Sequence, residues 1–260
     1  MSDDSSKDSE LVLELGCSSD LGAVASLLGA NDLPTADVEQ HLETFVLAKL
    51  HGDLVGVVGV EIYCEVGLLR SLCVGESHRG RGTGRALLSA IDSVMATRGV
   101  RDVYLLTTTA ARFFEREGFA TIPRDLAPPA ICQTMEFRSL CPESATFMGK
   151  GVPLVAHYVP RTLLRLREDI PGARMWQVQM QQTMITYFEV EAGVRFETHQ
   201  HDGEQITTVV DGELYFEIGQ HVFRVGPGDA ITIPPRVLHA VFTTNQPARA
   251  FDSWSLPFPR

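Results

Sequence analysis

Hydrophobic and polar positions alternate in short blocks through the first half of the chain and again, more regularly, through the second. Leu11–Leu15 reads as an opening strand, and Asp20–Leu28 has helical spacing with Ser18 or Ser19 available as a cap. Thr44–Leu50 and Leu54–Tyr63 read as strands joined by the turn His51-Gly52-Asp53, and Leu68–Val74 as a further apolar strand. A helix follows, because Leu87, Leu88, Ile91, Val94 and Met95 fall on one face and Gly99 supplies a stop. Val103–Leu106 then reads as a buried strand and Ala110–Glu117 as a short helix ended by Gly118. This order predicts an α+β domain around a mixed, largely antiparallel sheet with flanking helices.

From residue 151 onward the grammar changes. Trp176–Met180, Thr183–Val190, Ile206–Val210, Glu213–Ile218, His221–Val225 and Ala230–Ile233 all read as strands, and Asp211-Gly212 is a hairpin signal. Many short strands at close spacing predict an all-β barrel or double-sheet jelly roll. The segment Met148-Gly149-Lys150-Gly151-Val152-Pro153 breaks both patterns. The expected division is an acidic tail over 1–10, an α+β domain over 11–147, a linker over 148–155 and an all-β domain over 156–260.

Composition narrows the partners. With 44% hydrophobic and 21% charged residues the 260-residue chain can bury a core, and a formal net charge of −11 argues against nucleic acid or an anionic membrane as partner. The expected partners are small-molecule substrates, with a homodimer left open. The opening MSDDSSKDSE lacks the basic start and apolar stretch of a signal peptide. The five cysteines include no CxxC pair and all precede residue 150, which fits a reducing cytoplasm.

Against this acidic background stands HRGRGTGRALL, residues 78–88, between an apolar strand and an amphipathic helix. Free N–H groups and the dipole at a helix start attract anions, and glycines let a phosphate reach the backbone. No GxxxxGK[ST] is present, and Arg85 stands where the third glycine of GxGxxG would fall. The pattern Arg79-x-x-Gly82-x-Gly84 resembles the pyrophosphate loop of the GNAT acetyltransferases. Val103–Ala110 followed by Phe113-Phe114-Glu115-Arg116-Glu117-Gly118-Phe119 resembles the fifth strand and next helix of that fold, in wording similar to N-acetylglutamate synthases and to acetyltransferases of bacterial arsenic-resistance operons. The resemblance implies acetyl-coenzyme A as cosubstrate, held along Leu72, Cys73 and Val74 and by Arg79, Gly80, Arg81, Gly82, Thr83, Gly84 and Arg85. It also implies an amino-acid-like amine as acceptor, with Arg70 and Thr107 as substrate-binding candidates. Two departures from the family stand out. Phe114 replaces the tyrosine that could protonate the thiolate, and Arg70 lies near the position of the usual glutamate base, so Glu65 and Glu61 become the candidate bases.

The second half carries its own chemistry. His199 and His201 alternate on a strand, which turns both imidazoles to one side. Gly193-x5-His199-x-His201-x3-Gln205-x6-Gly212, with Gly228-x5-Pro234-x4-His239, resembles the two cupin motifs. That resemblance implies a double-stranded β-helix and a divalent metal on His199, His201, Gln205 and His239, with Glu204 as alternative to Gln205. Three imidazoles and an amide suit Ni, Fe, Zn, Mn or Cu. Two functional readings follow: a bifunctional protein, acetyltransferase plus metal cupin, or an acetyltransferase whose cupin is a non-catalytic sensor, binding module or dimerisation element.

Overall fold

A computed structural model describes residues 11–152, 156–180 and 182–255. The chain divides between Leu163 and Leu164 into two compact units. In the first, strands β1 (Leu11–Leu15), β2 (Phe45–Leu50), β3 (Asp53–Tyr63), β4 (Val66–Val74), β5 (Asp102–Thr107), β6 (Ala120–Thr121) and β7 (Thr146–Gly151) form one sheet in the order β1-β2-β3-β4-β5-β7-β6. All pairs are antiparallel except β4–β5. The helices are α1 (Leu21–Gly29), α2 (Val38–His41), α3 (Thr83–Ala96), α4 (Ala111–Arg116) and α5 (Pro129–Cys132), with a π-helical turn at Glu136–Leu140. The predicted stripe of α3 is buried against Val46, Val58, Val60 and Leu69, while Val24 and Leu28 of α1 pack with Leu47, Val57 and Cys73 in a separate cluster. Each such side chain contributes ~1.5–3 kcal/mol by leaving water.

The linker expected at 148–155 is corrected at its start. Residues 146–151 are the antiparallel neighbour of β5, with Tyr104 opposite Gly149 and Leu105 opposite Met148. Two glycines and a lysine hide this strand from pattern reading, yet Phe147 and Met148 are buried.

Two local features open the sheet. β4 and β5 pair only from Val66–Leu68 to Asp102–Tyr104, and both strands run on beyond the last pair. The diverging parallel strands leave backbone groups facing the gap. On its other edge β4 carries a bulge: Val57 pairs with Cys73 and Gly59 with Arg70, so Ser71 and Leu72 share the space opposite Val58. Ser71 sits at φ +56, which is costly for a non-glycine residue and re-aims the strand.

The second unit is all-β. Its strands are β8 (Arg167–Ile170), β9 (Ala173–Gln179), β10 (Thr183–Val190), β11 (Arg195–His199), β12 (Gln205–Asp211), β13 (Leu214–Ile218), β14 (His221–Val225), β15 (Ala230–Ile233), β16 (His239–Phe242) and β17 (Ala248–Ser255). They form a six-stranded sheet, β15-β12-β17-β10-β9-β8, and a four-stranded sheet, β11-β16-β13-β14. Phe188, Val190, Val209, Leu214, Phe216 and Val225 are among the apolar side chains buried with this unit.

Candidate functional site

The glycine loop lies where β4 gives way to α3. Gly80 and Gly82 adopt φ +74 and φ +86, and Gly82 is the residue before the first helical position. The first-turn N–H groups of α3 have no partner within the helix. A Cβ at Gly80 or Gly82 would meet open space, so the backbone angle, not packing, demands glycine there. Gly84 differs: its φ is ordinary, and an added Cβ would make only van der Waals contacts, the nearest 3.6 Å from Phe113. Nothing among the described residues requires glycine at this position. Arg79 turns back, donating to the Val74 carbonyl at 3.0 Å and to Asn31. Arg85 is exposed beside Glu117 at 3.2 Å. Leu72 and Val74 pack on the α3 side, whereas Cys73 is buried on the α1 side, where burial pushes its thiol pKa up.

Arg70 is corrected. Its guanidinium is buried and already bound within the protein. It donates twice to Asp37, with both contacts at 2.6 Å, and once to Glu61 at 2.5 Å. Glu136 Oε2 approaches to 3.3 Å without an aligned hydrogen bond. A fork so occupied has no face left for a substrate carboxylate. Burial opposes ionisation of Asp37, but the Arg70 hydrogen bonds overcome it and hold the carboxyl below its usual range. Burial dominates at Glu136, whose pKa is raised. Asp37, His41 and Glu61 bring three potential metal-ligand atoms within 4.8 Å, yet Arg70 compensates both carboxylates.

Glu65 is corrected as well. It occupies the exposed turn before β4 and pairs with Arg101 at 3.1 Å. The glycine loop follows the other end of β4, and nine strand residues span ~30 Å. Glu61 is buried, held by Arg70 and by the Tyr63 hydroxyl at 2.7 Å. Thr107 ends β5 and accepts the Ala110 N–H at 3.0 Å, which fixes the turn into α4. Phe114 is buried edge-on to Phe113 and Phe119.

In the second unit His199, His201, Gln205 and His239 come together. His199 and His239 are direct cross-strand partners, with rings 4.4 Å apart, and the His201 ring lies 5.1 Å from His239. β11 ends at His199, so His201 reaches the cluster from the following loop, not from the same strand. Each Nδ1 faces a backbone carbonyl: Glu197 at 2.8 Å, Gly203 at 2.7 Å and Val237 at 2.9 Å respectively. Carbonyls only accept, so Nδ1 carries the proton and each neutral ring presents the Nε2 lone pair. Burial lowers the His239 pKa, which favours this neutral form. His239 Nε2 is buried without a hydrogen-bond partner among the described residues.

Gln205 Oε1 stands 2.9 Å from His201 Nε2. With Nδ1 protonated, both atoms offer lone pairs and would serve together as ligands of one cation. The donor set therefore fits a divalent transition metal. Glu204 is exposed, whereas Gln205 is buried on the inner face.

A cavity of about 260 Å³ adjoins His199 and Gln205, walled by Met184, Phe188, Phe196 and Trp254 with Thr186 and Asp252 among them. Asp252 was not legible as a site residue. Burial pushes its pKa up to about 6, offset in part by the hydrogen bond from Thr207.

Comparison with known proteins agrees with both halves. Residues 41–121 match the model of the GNAT acetyltransferase domain and residues 186–254 that of the cupin domain. An uncharacterized N-acetyltransferase of Chlorobaculum tepidum is 30% identical over 113 residues, which cover 42% of this chain and 72% of the relative. The N-acetylglutamate synthase of Neisseria gonorrhoeae, solved with coenzyme A and N-acetyl-glutamate, is 18% identical with a TM-score of 0.51, covering 57% of this chain and 36% of that one. KdgF from Halomonas sp. is 25% identical with a TM-score of 0.34, covering 35% of this chain and 84% of that one. The matched domain and the relative spanned over most of its length show that the chain belongs to the GNAT N-acetyltransferases and carries a cupin domain as its second unit.

Proposed function

We propose that the first unit transfers the acetyl group of acetyl-coenzyme A to a small amine. The observation that carries this reading is Gly84. A helix glycine costs up to about 1 kcal/mol relative to alanine, and neither φ nor packing accounts for it here. Close approach of a ligand does: the diphosphate would lie against the N–H groups at the start of α3. The gap between β4 and β5 suits the extended pantetheine arm, whose amides can pair with the free strand edges. The amine nitrogen attacks the thioester carbonyl, the C–S bond breaks, and the amine proton leaves to solvent while the coenzyme departs as thiol or thiolate. Residues 103–119 resemble the N-acetylglutamate synthases and the acetyltransferases of arsenic-resistance operons, which supports an amino-acid-like acceptor. Its carboxylate would need a cation other than Arg70.

Calorimetric titration with coenzyme A tests the loop. Gly84→Val places a branched side chain at the anion site without requiring a left-handed backbone, unlike the same change at Gly82. Affinity should fall roughly tenfold to a hundredfold, the worth of one charge-assisted contact, with thermal unfolding of the free protein nearly unchanged. Undiminished affinity would remove the loop from the coenzyme site.

For the second unit, the reading is a divalent metal held by His199, His201, Gln205 and His239, with small-molecule chemistry in the adjoining cavity. The buried, unpartnered His239 Nε2 supports it. When bound, the ion would supply Lewis acidity. The chain itself orients three imidazoles through backbone carbonyls and shields the bound molecule with Phe188, Phe196 and Trp254.

A further inference from the structure

Glutamine is an ambiguous ligand. Its terminal oxygen and nitrogen are nearly alike in shape, but only the oxygen offers a lone pair to a metal. A half-turn of the amide would present N–H groups to the histidines and spoil the site. A chain of hydrogen bonds behind Gln205 removes the ambiguity. Gln205 Nε2 donates to Thr207 Oγ1 at 3.0 Å, and the Thr207 hydroxyl donates to Asp252 Oδ1 at 2.5 Å. Thr207 and Asp252 are direct cross-strand partners on β12 and β17. Gln205, Thr207 and Asp252 are 4%, 0% and 7% exposed, so water offers no ready substitute partner.

The direction of the chain follows from its last member. A carboxylate can only accept, so it takes the single hydroxyl proton of Thr207. Thr207 then has only lone pairs left for Gln205, and only the amide N–H end can meet them. The oxygen must point the other way, where it stands 2.9 Å from His201 Nε2.

We propose that Asp252, acting through Thr207, is a positioning residue that fixes Gln205 as an oxygen ligand. It also places a negative charge two hydrogen bonds behind an otherwise neutral ligand shell. This rests on the metal reading given above, and the test separates the two.

The probe is Zn(II), titrated against a chromophoric chelator into the full-length protein stripped of metal. Folding of the second unit is followed by the fluorescence of Trp176 and Trp254. Thr207→Val, which keeps the shape and deletes the hydroxyl, should weaken zinc about 10- to 100-fold, the usual effect of losing a ligand's support. Thr207→Ser should restore most of the affinity. Asp252→Asn should also weaken it, because an amide can donate to Thr207 and reverse the chain. In a Gln205→Glu background, where the ligand has no wrong end, Thr207→Val should cost distinctly less. Unchanged affinity in Thr207→Val or in Asp252→Asn overturns the proposal. So does an equal loss in the glutamine and glutamate backgrounds, which would mark the hydroxyl as a packing element. Should Thr207→Val not fold, the Asp252→Asn and Thr207→Ser titrations decide alone. Failure of the unaltered protein to take up zinc overturns the metal site itself, and the relay with it.

Discussion

Replacing Arg70 with methionine should destabilise the amino-terminal unit by about 3–5 kcal/mol, the cost of stranding buried charges whose partner is removed. Against a typical stability of ~5–15 kcal/mol for a domain, that brings the unit close to unfolding. The reason is geometric. One guanidinium, 3% exposed, compensates Asp37 from before α2, Glu61 from β3 and Glu136 from the π-helical turn. The helices lie in the first unit, so urea unfolding followed by the helical circular dichroism signal reports on it. The pH dependence has a definite sign. In the unaltered protein Asp37 is held below its usual pKa, so its contribution is present above the unfolded value of ~3.9 and is lost as pH falls through the folded value. Without Arg70, Asp37 and Glu136 keep the burial that raises their pKa values and lose the cation that opposed it. The folded variant then binds protons more readily than the unfolded chain, and mild acid should recover part of the lost stability. A variant as stable as the parent but with a raised KM for the acceptor alone would return Arg70 to a substrate-binding role.

Replacing His199 and His239 together with alanine should reduce metal content from about one divalent ion per chain to none. These two are cross-strand partners with rings 4.4 Å apart, and their loss leaves only His201 and Gln205. A single imidazole and an amide do not compete with buffer for a divalent ion. Coenzyme A binding should be untouched, since the loop proposed to hold it belongs to the other compact unit. Elemental analysis of the purified double variant is the check, and an ion retained at full occupancy would mean that other residues hold it.

What could be read in advance depended on whether a residue's partners were near in sequence. β1, β10, β14 and β15 follow from local alternation because one face of each is mainly apolar. β17 does not: Ala248, Ala250 and Asp252 face inward while Phe251 is only half-buried, so neither face reads as apolar. Asp252 is hidden for the same reason, being a lone acid between an aromatic and a serine. The histidines were legible because His199, His201 and His239 occur at fixed spacings in motifs. The role of Arg70 was not, because its carboxylates come from positions 33, 9 and 66 residues away and no local pattern links them. Glu65 failed for a simpler reason. Its order before β4, with the glycine loop after that strand, already sets it at the far end, and only its ion pair with Arg101 lies outside any local pattern.

Gly84 also sets a conflict for anyone evolving this protein toward heat resistance. Alanine at that position meets no steric obstacle in the free chain and should raise its stability by up to about 1 kcal/mol. A screen that scores only survival after heating will therefore favour it. On the proposed reading of the loop the same methyl group would stand where the coenzyme's diphosphate is to rest, so the surviving clones should bind their cosubstrate less well than their parent. Selection for endurance and selection for turnover would part company at this one carbon atom.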